Sequence, residues 1–164
     1  MILILLFLNC LSAFSQTKEE TIRWLNETFS PPNHYRSDGL FNSYDVLEIK
    51  SDGSFIKDSK NYTIGSNKYT AHHIWKGNFK SFSLNSIYSQ VIKGNTYIYA
   101  SCFNKNKCID YKNYNPDNTL AIQANDAKIL LVIVEKLDDQ TLVERGKKAF
   151  THLIKLLGGK KEAF

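Results

Sequence analysis

The sequence predicts an α+β fold. One helix near the N-terminus precedes seven to eight short antiparallel strands in a curved sheet or small barrel, and a long C-terminal helix packs on them. A helix-on-sheet α+β arrangement is the alternative. Three observations lead there. Apolar residues recur with helical period only over residues 18–29 and after residue 138, and with strand period in between. Short turn signals, not helical crossovers, separate the strand-like runs, which argues against alternating βαβ units. Finally, 43% hydrophobic and 23% charged residues, with three prolines and eight glycines in 164 residues, belong to a packed domain rather than a disordered or collagen-like chain.

Residues 1–15 carry no charged side chain and read as a signal peptide. Met1–Leu8 is its apolar run, and Ala13 and Ser15 supply small residues at −3 and −1 of a cut before Gln16. The usual positive start is missing, and Asn9 before Cys10 departs from a lipoprotein motif. Residues 16–164 are then a single domain with a periplasmic or extracellular location. No apolar run reaches the roughly 18–20 residues of a membrane span, so none is expected in the mature protein.

Thr17-Lys-Glu-Glu20 is a capping box, and Ile22, Leu25 and Phe29 form the apolar stripe of a helix over 18–29. Ser30-Pro31-Pro32-Asn33 ends it. Candidate strands, from which the seven to eight are drawn, are 44–50, 54–57, 60–65, 69–79, 87–92, 96–103, 108–112, 119–123 and 129–135, with turns at Ser51-Asp-Gly53 and Lys93-Gly94-Asn95. The run Ile129–Val134 has no polar side, as suits a strand covered on both faces. Asp138 or Asp139 caps the last helix. Its stripe is Leu142, Gly146, Ala149, Phe150, Leu153, Ile154 and Leu157, and Gly158-Gly159 stops it. Gly146 on that stripe implies a close backbone approach.

Export makes Cys102 and Cys108 candidates for a disulfide. A three-residue hairpin loop at Asn104-Lys105-Asn106 sets them opposite each other, with Asn106 left-handed; two free thiols are the alternative.

Lys18-Glu-Glu-Thr-Ile-Arg-Trp-Leu25 and Arg145-Gly-Lys-Lys-Ala-Phe-Thr-His-Leu-Ile-Lys-Leu-Leu-Gly-Gly-Lys160 together resemble small exported proteins of uncharacterised function from bacteria of the Bacteroidetes group. Leu157 departs from that pattern, which often has Cys there. The resemblance implies a whole-chain domain of pleckstrin-homology-like type and an exported location. It implies no activity, and it assigns no catalytic residue.

Local chemistry is sparse. His72 and His73, adjacent on a strand, point to opposite faces and cannot share a metal without a bulge. Neither pairs by pattern with His34, so no metal site is expected. Serines, four histidines and Asp38, Asp110 or Asp126 supply the parts of a triad, but no Gly-x-Ser-x-Gly elbow fixes one. Phosphate loops are absent and no cofactor is implied. The net charge of +5 comes from 18 lysines and three arginines against 16 acids, a lysine-rich balance poorly suited to phosphate readout, and nucleic acid is not an expected partner outside the cell.

Two candidate binding faces remain. Tyr97, Tyr99, Phe103 and Tyr111 line one side of the expected hairpin, with Trp75 in another strand; Arg145, Lys148, His152 and Lys155 line the outer side of the last helix, followed by Lys160 and Lys161. The expectation is an exported, non-catalytic binding or interaction module whose partner is a protein, a lipid headgroup or a glycan. A periplasmic hydrolase with dispersed catalytic residues, or an inhibitor or immunity-type protein, is the alternative.

Overall fold

The computed structural model describes residues 16–29, 35–37, 41–63, 65, 68–92, 95–134 and 140–161. The expected signal peptide, His34, Asp38, Lys93-Gly94, Glu135 and the capping candidates Asp138 and Asp139 lie outside the described residues.

Helix α1 (Lys18–Phe29) opens the fold. Its capping box is formed: the Glu20 amide donates to Thr17 Oγ1 at 3.1 Å and the Thr17 amide to Glu20 Oε2 at 2.9 Å. The Thr17 amide, and after it the Thr17 hydroxyl, hold the Glu20 carboxyl below its ordinary pKa. Strands follow at β1 (Tyr35–Ser37), β2 (Phe41–Ile49), β3 (Ser54–Thr63), β4 (Tyr69–Asn78), β5 (Tyr88–Ile92), β6 (Asn95–Ser101), β7 (Ile109–Tyr114), β8 (Leu120–Asp126) and β9 (Lys128–Val134). Helix α2 (Gln140–Leu156) closes it. The fold is α+β, as expected, with both sheets antiparallel. The strands do not close into a barrel. They divide into a six-stranded sheet, β1-β2-β3-β4-β7-β8, and a three-stranded sheet, β5-β6-β9.

Two segmentations differ from expectation. The candidates at 54–57 and 60–65 are one ten-residue strand, because the polar stretch Asp58-Ser-Lys-Asn61 pairs in unbroken register with Ile74–Ala71 and with β2. β1 was not expected at all. The β2–β3 hairpin turns at Gly53, whose φ of 80° needs a residue without Cβ; a Cβ there would also lie 2.3 Å from Leu157 Cδ1.

The core lies where the two sheets and both helices meet. Ile49, Phe55 and Ile109 from the large sheet face Ile98, Ala100 and Leu131 from the small one, with Phe79 and Phe82 between, and Leu25, Phe150, Leu153 and Ile154 close it. Helix α2 buries Val143, Gly146, Ala149, Phe150, Leu153 and Ile154, while Leu142 and Leu157 are only half-buried. Gly146 does mark a close approach: an added Cβ would sit 2.9 Å from Phe29 Cζ and 3.2 Å from Ile98 Cδ1. The helix stops as Gly158 turns left-handed at φ 79°; Gly159 N–H donates to the Ile154 carbonyl at 2.8 Å and Gly158 N–H to that of Lys155 at 3.1 Å. Asn26 ties α1 to the sheet: its amide donates to the Ile49 carbonyl at 2.8 Å and accepts from the Ile49 N–H at 2.9 Å.

The sulfurs of Cys102 and Cys108 are bonded at 2.03 Å, so the disulfide is present. Its setting corrects the expected hairpin. A 3-10 turn at Phe103–Lys105 follows Cys102, and Asn104 and Lys105, not Asn106, take the left-handed conformation, at φ 54° and 55°. Two such residues in succession turn the chain out of the small sheet, and β7 joins the large one. The disulfide therefore staples a crossing between sheets.

Candidate functional site

The inner face of the six-stranded sheet changes character along its strands. Cross-strand register defines rows of side chains that share this face. Ile49 opposite Phe55 begins the apolar end. In the next row Lys57 stands opposite Leu47 on one side and Trp75 on the other, and Trp75 opposite Tyr111. One row further, Asp45, Ser59, His73 and Asn113 follow one another across β2, β3, β4 and β7. The core face has become polar within two rows.

Strand β9 roofs this polar half. A cleft of about 250 Å³ lies between the sheet and β9, lined by Asp45, Lys57, Ser59, Asn61, His73, Trp75 and Tyr111 below and by Leu130 and Ile133 above. The imidazole of His73, the indole of Trp75 and the phenol of Tyr111 stand nearly parallel, with centroids 5.2–6.1 Å apart and interplanar angles of 11–26°.

Lys57 is the anchor of the arrangement. Its side chain is 3% exposed, its ammonium donates to the Leu131 carbonyl at 3.3 Å, and it lies 3.8 Å from Asp45 Oδ2 and 5.8 Å from the Trp75 ring centre. Leu131 has this carbonyl to offer because β9 bulges there: Leu130 and Val132 pair with Tyr99 and Ile98, and Leu131 between them has no counterpart. Asp45 and Lys57 also line a second cavity of about 140 Å³, whose other walls include Phe29, Val46 and Leu142.

Both ring nitrogens of His73 have partners: Nε2 lies 3.4 Å from the Asn61 amide nitrogen and Nδ1 2.9 Å from the Tyr111 hydroxyl oxygen. Burial, and then the neighbouring His72, hold the His73 pKa below its ordinary value against the opposing pull of Asp45, so the ring is neutral at pH 7. Burial, with Asp126 adding to it, raises the Tyr111 pKa and keeps its hydroxyl protonated. Two oxygens in the polar row, Asp45 Oδ1 and Asn113 Oδ1, are buried without a hydrogen-bond partner among the described residues.

The two histidines do face opposite ways. His72 lies on the outer face, 3.1 Å from Asp58 Oδ1 and beside Tyr114. Acid and hydroxyl are thus shared out: one histidine has a carboxylate and the other a hydroxyl, with β4 between them. No group of three metal-ligating side chains occurs among the described residues.

The sequence-derived aromatic face is assembled only in part: Tyr97 and Tyr99 stack with centroids 6.4 Å apart, and Tyr111 is parted from them. Tyr97 is buried; Tyr99 stacks on Tyr88 at 5.2 Å with the Lys128 ammonium 4.4 Å above its ring; Phe103 sits in the disulfide loop under Lys160; Tyr111 is in the other sheet. The grouping depended on a β6–β7 hairpin, and β6 and β7 do not pair. The basic face is assembled. Arg145, Lys148 and His152 line a groove of about 470 Å³ with Trp24 and Gln16, and Lys155 continues the row.

Sequence reasoning singled out His73 only as half of an adjacent pair, and it missed Asp45, Lys57, Ser59, Asn61 and Asn113. Alternation from Phe55 through Lys57, Ser59 and Asn61 was the available signal, and the equally polar Asp58 and Lys60 between them hid it. No helix among the described residues is long and apolar enough to cross a membrane. No family model, no curated protein and no solved structure matches the chain.

Proposed function

We propose that the protein is an exported, non-catalytic binding module that takes a neutral, hydroxyl-bearing ligand, a sugar ring or short glycan, in the cleft under β9. The apolar leader-like start of the sequence and the Cys102–Cys108 disulfide support a periplasmic or extracellular setting. One observation carries the ligand reading: a row of three near-parallel rings stands beside two buried oxygens that lack donors among the described residues. A polyol ring offers apolar C–H faces to aromatic side chains and hydroxyl donors to such oxygens. With Lys57 already set against Asp45, a neutral ligand suits the cleft better than a second cation.

The hydrolase alternative is the weaker reading, because His73 has the Tyr111 hydroxyl beside it but no hydrogen-bonded carboxylate among the described residues.

The test is a titration of purified protein with a panel of neutral mono- and oligosaccharides, followed by tryptophan fluorescence and calorimetry. A binder is expected, weakened at least tenfold by Trp75→Leu or Asp45→Asn and recovered chemically unchanged. A panel with no binder, or equal affinity in both variants, would overturn the reading. Recovery of a shortened saccharide would replace it with the hydrolase.

A further inference from the structure

We infer that the outer face of α2, with Trp24 of α1, is a docking surface for an anionic lipid bilayer. Residues 140–161 hold six of the 21 basic side chains and one of the 16 acidic ones, and so carry a charge equal to the whole net +5 of the chain; the rest sums to zero. Arg145, Lys148, His152 and Lys155 follow at helical spacing along one ridge, with Lys160 and Lys161 just beyond the end of the helix. The single acid, Glu144, is engaged by Lys147 at 3.1 Å. No ion pair involves Arg145, Lys148, Lys155, Lys160 or Lys161 among the described residues.

The shape of this charge selects the partner. From Arg145 to Lys155 the ridge runs roughly 15 Å, at a rise of about 1.5 Å per residue. That is a line, not a pocket closing on one anion. Lysines dominate it, and an ammonium is a point charge that needs no fixed partner geometry, as suits phosphates in a fluid headgroup layer. Apolar groups flank the line at both ends. Trp24 is half-buried with the Arg145 guanidinium 5.0 Å over its ring, and Leu156 is 40% exposed beside Lys155. An aromatic ring beside a cation suits the boundary between headgroups and acyl chains.

This inference is independent of the sugar-binding reading, since the cleft contributes no residue to the ridge. Its test is co-sedimentation of the purified protein with vesicles of 30% phosphatidylglycerol in phosphatidylcholine, at 50, 150 and 500 mM salt. Binding is expected at 50 mM, falling steeply with salt and absent on pure phosphatidylcholine. At roughly fivefold per basic residue, Lys148→Glu with Lys155→Glu should cost at least 25-fold. Lys148→Gln with Lys155→Gln should shift binding in the same direction by less, in case the reversals disturb the helix. Lys76→Glu, on the outer face of the large sheet, should cost about twofold or less. No binding at 50 mM, equal binding to neutral vesicles, or an equal loss from Lys76→Glu would each overturn the inference. So would retention on a soluble acidic polysaccharide by protein that ignores the vesicles.

Discussion

The two ends of the inner sheet face are built on the same strands and differ in what covers them. At one end Ile49, Phe55 and Ile109 meet helices and small sheet, and every side chain is apolar. At the other, Asp45, Ser59 and His73 lie under β9 with Asn113 next in their row, and Lys57 stands between the two ends. The comparison separates two uses of burial. Apolar burial stabilises in proportion to area, whereas polar burial leaves requirements that a ligand can meet. Asp45 Oδ1 and Asn113 Oδ1 are such requirements.

The comparison predicts large stability effects from the apolar end and smaller, chemistry-specific ones from the polar end. Leu153 is fully buried, so Leu153→Asp should cost more than about 4 kcal/mol and leave the domain unfolded in a thermal scan. Exposed Lys155→Asp should stay within about 0.5 kcal/mol. Equal effects would mean that α2 does not bury the face described.

Lys57→Ala strands Asp45 and the Leu131 carbonyl and should cost about 3 kcal/mol in urea denaturation. The double variant Asp45→Leu with Lys57→Met removes both charges and should regain most of that loss while abolishing saccharide binding. A double variant as unstable as Lys57→Ala would show that the polar half serves the fold rather than a ligand.

The disulfide closes a short loop, and replacing both Cys102 and Cys108 by Ser should cost about 2 kcal/mol. Alkylation of both cysteines in non-reduced protein would contradict the linkage.

His73 gives the smallest effect and the most specific one. Its folded pKa lies below the ordinary value of about 6.5, so below that pH the unfolded chain takes up a proton that the folded imidazole refuses. Stability should therefore fall as the pH drops from about 6.5 towards 5. His73→Gln should flatten that slope while costing about 1 kcal/mol or less at pH 7.5. Melting temperatures at pH 5.0, 6.0 and 7.5 decide it. The lowered pKa values of Asp52 and Asp117, each held down by hydrogen bonds from a Ser or Thr two residues on, act only nearer pH 4. An unchanged slope in the variant would remove His73 from the account.

The sequence by itself determined the local features. Thr17 and Glu20 form the capping box, Gly53 turns the first hairpin, and Gly158 ends the last helix, because each depends on residues within one turn of chain. The alternation of Ile98, Ala100 and Cys102 likewise placed them in the core. Tertiary structure alone decided which strands are neighbours. Asn104 and Lys105 send β7 to the other sheet, which parts Tyr111 from the stacked Tyr97 and Tyr99 and sets it beside His73 and Trp75 instead. Asp45, Ser59, His73 and Asn113 are far apart in sequence, and only strand register puts them in one row. Pattern reveals which way a side chain points relative to its own strand; what it meets there depends on free energies of pairing and packing summed over segments distant in the chain.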